Sequence, residues 1–146
     1  MDKVLFLSTK DCARTKMAAA LLHTKAPGKY EVKSAGTTPE KVSPMAKTVL
    51  KEIGIDLVGQ SEVNVADVFR EPFKFVITIC KRTEEKCPVF PLATWLHWDI
   101  SFPRNLQQYR QVRDELSRRI DLFLSGTLIH DGARQKLGSR PAKVKV

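Results

Sequence analysis

Val4-Leu5-Phe6-Leu7-Ser8-Thr9-Lys10-Asp11-Cys12-Ala13-Arg14-Thr15 is the stretch on which the fold turns. Its first four residues are apolar without a break and are bounded by polar ones, the pattern of a strand buried on both faces. From about Ala13 the period changes. Met17, Ala20 and Leu21 fall on one helical face, and Ala18, Ala19 and Ala20 are strong helix formers. A buried strand therefore passes through a short polar loop into a helix. Backbone N–H groups at such a junction can converge on an anion, and the helix dipole favours negative charge there. Arg14 falls in the first helical turn, and its planar fork could hold two oxygens of a tetrahedral anion. Taken alone, the stretch reads equally well as an ordinary strand-to-helix turn with a surface arginine.

Outward from this unit, Pro27-Gly28 ends the first helix. Residues 30–34 alternate and read as a second strand, closed by Ala35-Gly36. Ser43-Pro44 is a helix start, with Ser as N-cap and Pro at the first helical position. Met45, Val49, Leu50 and Ile53 give that helix one apolar face, and Gly54 stops it. Residues 65–69 read as a short helix, and 73–79 and 93–98 as strands. Leu106, Tyr109, Val112, Leu116, Ile120, Phe123 and Leu124 keep helical spacing up to a Gly126 cap. The order β-α-β-α-(α)-β-β-α predicts an α/β domain: an open, mostly parallel four-stranded sheet with helices on both faces. In an open parallel sheet ligands bind beyond the carboxyl ends of the strands, where the Ser8 loop falls.

The chain has 146 residues, 42% hydrophobic and 28% charged, which suits one globular domain with a real core. We draw that domain over residues 1–128 and a basic C-terminal tail over 129–146. The net charge is +9. After Asp131 come Arg134, Lys136, Arg140, Lys143 and Lys145 with no acid, which leaves about +4 for residues 1–131. The tail reads either as a solvated, flexible end or as a contact for nucleic acid or an acidic partner; no aromatic residues interleave with its charges as a stacking platform needs. No apolar run reaches membrane-spanning length, and the apolar start is too short for a signal peptide, so no membrane partner and a cytoplasmic location are expected. Three cysteines, Cys12, Cys80 and Cys87, do not make a secreted disulfide scaffold. No Cys/His set has zinc-site spacing, and no metal or resident cofactor is expected. His23, His97 and His130 read as a surface, a strand-end and a tail residue.

The stretch resembles the phosphate loop of the arsenate reductase / low-molecular-weight tyrosine phosphatase family. That loop follows the first strand, with a cysteine, five intervening residues, an arginine and then Ser or Thr. Arg14-Thr15 matches its close, and Met17-Ala18 follows where the family often has Met-Ala. Ser34-Ala35-Gly36-Thr37 and Gly54-Ile55-Asp56 look like further family motifs. Phe75-Val76-Ile77-Thr78-Ile79-Cys80, Cys87-Pro88-Val89-Phe90-Pro91, His97-Trp98 and Arg113-Asp114-Glu115-Leu116 resemble the thiol-coupled arsenate reductase branch. The likeness covers roughly residues 3–125. It implies a low-molecular-weight phosphatase-like fold and an oxyanion loop made of Ser8, Thr9, Lys10, Asp11, Cys12, Ala13, Arg14 and Thr15. Phosphate, arsenate or a phosphorylated group would be its ligand, and thioredoxin or another thiol donor the partner of any redox route.

Three departures bear on chemistry. Ser8 stands where the family keeps its nucleophilic cysteine. A loop thiolate is ionised by amides and arginine, whereas a serine needs a general base, and no histidine lies in the loop. Lys10 and Asp11 replace the family's Gly and Asn. Phe102-Pro103 replaces an Asp-Pro whose Asp acts as general acid. Because Lys10, Asp11 and Phe102 depart together with Ser8, the pattern reads as natural divergence rather than a single engineered exchange. The resemblance makes Ser8, Arg14, Cys80 and Cys87 the candidate catalytic residues. Cys80 and Cys87 keep the spacing of a reductase thiol pair, with a polar segment at 81–86 between them and Lys81 and Arg82 placed to lower the Cys80 pKa. They are equally readable as ancestral thiols without a relay. The expectation is an oxyanion-binding, catalytically impaired member. The alternatives are an active thiol-dependent reductase or phosphatase using Cys80/Cys87, and a non-enzymatic phosphoprotein- or nucleic-acid-binding scaffold.

Overall fold

The computed structural model describes residues 1–8, 12–36, 41–57, 63–79, 90 and 92–131. Within them the elements are β1 (Asp2–Ser8), α1 (Cys12–Lys25), β2 (Tyr30–Gly36), α2 (Pro44–Lys51), α3 (Val65–Val68), β3 (Phe75–Ile79), β4 (Thr94–Trp98) and α4 (Leu106–Leu124). The strands form one sheet in the order β2-β1-β3-β4, and every pairing is parallel. The chain is thus the expected α/β fold with a four-stranded sheet.

β1 lies inside the sheet, with Val4 opposite Val32 of β2 and Phe75 of β3. Its apolar run is fully buried. Side chains alternate across a strand, so Val4 and Phe6 join one apolar cluster while Leu5 and Leu7 join another. Each such side chain contributes roughly 2 kcal/mol on burial, which is why the run takes a two-sided position. The two faces are covered unequally. α1, α2 and α4 pack on the Val4/Phe6 face through Met17, Leu21, Leu50, Leu116, Ile120 and Phe123. The four-residue α3 serves the other face, with Val65, Val68 and Phe73 against Leu5, Leu7 and Val76.

α1 departs from the single apolar stripe that its sequence suggests. Ala13, Arg14, Thr15, Lys16, Met17 and Ala18 are all buried, so its first half is enclosed on every side, while Ala20 is only half-buried. The enclosure follows from position, because helix α1 starts beyond a central strand and packs against β1, β2, α2 and α4 together. Ser43 caps α2 as expected, its side chain accepting from the Met45 N–H at 3.1 Å, with Pro44 at the first helical position. Asn64 and Asn105 cap α3 and α4 in the same way, accepting from Ala66 and Gln108 at 2.9 Å. Gly126 takes φ 98° and ends α4 in the left-handed region that glycine tolerates.

Beyond the residue 128 at which the sequence reading closes the domain, the chain stays on the sheet to Asp131. Ile129 accepts from Trp98 Nε1 at 3.1 Å, the His97 N–H donates to His130 Nδ1 at 3.1 Å, and the Asp131 N–H donates to the His97 carbonyl at 2.7 Å. His130 is therefore docked along β4 rather than a loose tail residue. None of the helices among the described residues is long and apolar enough to cross a membrane.

Candidate functional site

The parallel sheet brings the carboxyl ends of its strands to one edge. β1 ends there at Ser8, which pairs with Gly36 at the end of β2. Ser8 is 1% exposed. Four residues further on, α1 begins at Cys12, and its first turn carries no acidic side chain. Within that turn no acid opposes the partial positive charge of the helix N-terminus. Ala13 and Thr15 are buried in that turn. Thr9, Lys10, Asp11, Cys80 and Cys87 lie outside the described residues, as does the tail from residue 132; β3 ends at Ile79, immediately before Cys80.

Arg14 is 6% exposed, although an arginine is among the residues least often buried. A buried guanidinium needs polar contacts to offset desolvation. One comes from the loop after β4: Arg14 Nη1 donates to the Ile100 carbonyl at 2.6 Å. The Ile100 N–H in turn donates to the Trp98 carbonyl at 3.1 Å, which closes a tight turn at the end of β4. Phe102 follows in the same loop. Its ring centroid is 5.8 Å from the Arg14 guanidinium carbon, within cation–π range, and the ring is 47% exposed. The structure therefore brings Phe102, far from Arg14 in the sequence, against its guanidinium, at the end of the sheet where β1 also finishes at Ser8.

Beside this edge lies a buried polar group whose members sequence reasoning assigned to separate motifs. Thr78 Oγ1 and His97 Nδ1 are 2.9 Å apart, and Trp95 Nε1 donates to Thr78 Oγ1 at 3.3 Å. The sequence reading places Thr78 and His97 on strands, but their meeting needs the parallel register, in which Thr78 faces His97. Lys16 is also 4% exposed, and nothing in the composition of α1 marks it as buried.

A profile of the low molecular weight phosphotyrosine protein phosphatase family matches residues 3–135. The chain belongs to that family. Its relatives include an arsenate reductase of Brevibacillus brevis, 31% identical over 82% of this chain and 92% of its own. Among solved structures it is similar to an arsenate reductase in the phosphate-binding state, with TM-score 0.78 and 26% identity over 86% of this chain and 98% of that one. It is also similar to a thioredoxin-dependent arsenate reductase of Corynebacterium glutamicum, with TM-score 0.72 and 27% identity over 86% of this chain and 61% of that one. The low-molecular-weight phosphatase fold read from the sequence is therefore the fold of the chain.

Proposed function

We infer that this family member binds a tetrahedral oxyanion in the loop from Ser8 to Thr15 and has lost the covalent chemistry that the family resemblance implies. The observation that carries the reading is the contact between Phe102 and Arg14. By the resemblance, the Phe102 position belongs to a general acid. A phenyl ring has no proton to deliver to a leaving group, and so near the guanidinium it fills space that a carboxyl would need. Ser8 compounds the loss, because a buried hydroxyl with no histidine in its loop is a poor nucleophile. What remains suits recognition: a helix N-terminus, a nearly buried arginine and a serine hydroxyl at the end of β1.

Calorimetric titration of the full chain with phosphate or arsenate tests this reading. Binding should weaken about tenfold or more in Arg14→Ala, since hydrogen bonds to a charged group are worth roughly 1.5–3 kcal/mol. Arsenate should not turn over with thioredoxin, thioredoxin reductase and NADPH. Turnover at rates comparable to those of active reductases would overturn it.

A second reading is favoured by the reductase relatives, one of them named as thioredoxin-dependent. In it, Cys80 and Cys87 form a thiol pair that draws electrons from a thioredoxin-like donor. Activity that disappears in Cys80→Ala would establish this route; activity that survives the substitution would end it.

A further inference from the structure

Asp131 lies outside every motif discussed above, yet it meets the loop that touches Arg14. Its Oδ2 accepts the Asp99 N–H at 2.8 Å and lies 2.6 Å from Arg119 Nη1 of α4. Its own N–H donates to the His97 carbonyl at 2.7 Å. Asp99 is the middle residue of the turn in which the Ile100 N–H donates to the Trp98 carbonyl, and the Ile100 carbonyl accepts from Arg14. An unbroken run of charge-assisted and backbone hydrogen bonds therefore leads from α4 through Asp131 and the turn to Arg14. Arg119 cannot supply this link by itself. It is fixed by Glu115 at 2.6 Å and faces the Trp98 ring at 6.0 Å, so its fork is aimed at Asp131 rather than at the turn.

We propose that Asp131 is a positioning residue for the oxyanion site: it fixes the turn at Asp99 and Ile100, whose carbonyl sets where the Arg14 guanidinium points. The proposal rests on the oxyanion reading for its ligand, but its structural part is separate. An arginine fork binds two oxygens only when its plane is held, so a turn that moves lets the fork leave the bidentate geometry. The last described residue before the basic tail thereby acts on the site through the turn that follows β4.

The test uses the full chain, with two readouts. The first is the affinity for inorganic phosphate. The second is the Arg14 side-chain N–H resonance, assigned by its loss in Arg14→Lys and followed without ligand. Asp131→Ala should weaken phosphate binding about tenfold, the loss expected for one displaced charge-assisted hydrogen bond, and should shift or broaden the Arg14 resonance. Asp131→Asn keeps an acceptor for the Asp99 N–H and should restore most of the affinity. Its Arg14 resonance should stay near that of the unaltered chain; if the alanine variant does not fold, Asp131→Leu, which has a similar shape and no acceptor, stands in, with a displaced Arg14 signal as the expected result. An unmoved Arg14 resonance in folded Asp131→Ala overturns the proposal, and equal losses in the Ala and Asn variants overturn the route through Asp99. If the unaltered chain binds no phosphate, the oxyanion reading fails instead, and the Arg14 resonance still decides the positioning role.

Discussion

Arg14 has two flanks, and they differ in what they preserve. On the α1 flank, β1, the start of the helix and the buried arginine supply what the proposed oxyanion reading needs as a frame. On the β4 flank, the loop contributes a carbonyl and a phenyl ring and, at the position of the general acid, no titratable group. On the proposed reading the frame comes from backbone geometry and one side chain, while the chemistry implied by the family resemblance belongs to two side-chain positions, those of Ser8 and Phe102. That reading puts recognition and turnover on different elements, so that one can decay without the other.

Rebuilding the chemistry on the intact frame should give the largest effect. Ser8→Cys alone supplies a thiolate without a proton donor. Ser8→Cys with Phe102→Asp supplies both, and positioned general acids contribute about 10²–10⁴-fold. Hydrolysis of an aryl phosphate by the double variant should exceed that of the single by about a hundredfold, measured as kcat/KM. Equal rates in the two variants would mean that the β4 flank does not face the leaving group. The contrast between flanks would then be wrong.

A smaller effect tests the opposite end of the sheet. Glu71 sits between Lys3, near the amino end of β1, and Lys33, in the middle of β2, 2.6 and 2.9 Å from their ammonium nitrogens. The hydrogen bond from Lys3, more than any other contact, holds its carboxyl below the usual carboxylate range against the cost of burial. A depressed carboxylate pKa gives stability that is full above the unfolded value, near 4.5, and is lost as pH falls through the folded value. Glu71→Gln should therefore destabilise by about 1 kcal/mol at pH 7, with the gap to the unaltered chain closing below pH 4 in urea denaturation. Phosphate affinity at neutral pH should not change, since this cluster lies at the far end of the strands from Arg14. A pH-independent gap would remove the ion pair as its cause.

How much of this was readable beforehand differs between the same regions. Val4–Leu7, the helix over 106–124 and the Ser43-Pro44 start are local signals, carried by periodicity and capping chemistry, and each appears where expected. The Asn64 and Asn105 caps were equally local but unremarked. Arg14 could be picked out from its place after a buried strand. Its contacts with Ile100 and Phe102 could not, because they span 86 residues or more and depend on the sheet order β1-β3-β4. The docking of Ile129, His130 and Asp131 was hidden by their neighbours, since the basic run after Asp131 makes the whole end look solvated. Composition averages over a boundary that hydrogen bonds set residue by residue.

The least effect, and the finest test of the β4 flank, belongs to His130. Its Nδ1 accepts the His97 N–H, so that nitrogen must be unprotonated. Burial lowers its pKa, the neighbouring His97 lowers it further, and Asp131 acts the other way. Trp95 packs edge-on at 4.9 Å, and Arg119 of α4 approaches from the Asp131 side. With the folded pKa below the ordinary 6.5, the unfolded chain takes up the proton first as pH falls. The stability that neutral His130 gives is thus full above about pH 6.5 and lost below it, through the folded value. Asparagine keeps an acceptor and cannot titrate. Between pH 7.5 and 5 the unaltered chain should therefore lose more in melting temperature than His130→Asn, by about 2 °C or less given the partial exposure of the imidazole. Parallel curves would show that the β4 flank holds residues 129–131 without the imidazole. Asp131 and the Trp98–Ile129 hydrogen bond would then be left as what keeps the chain end on the sheet.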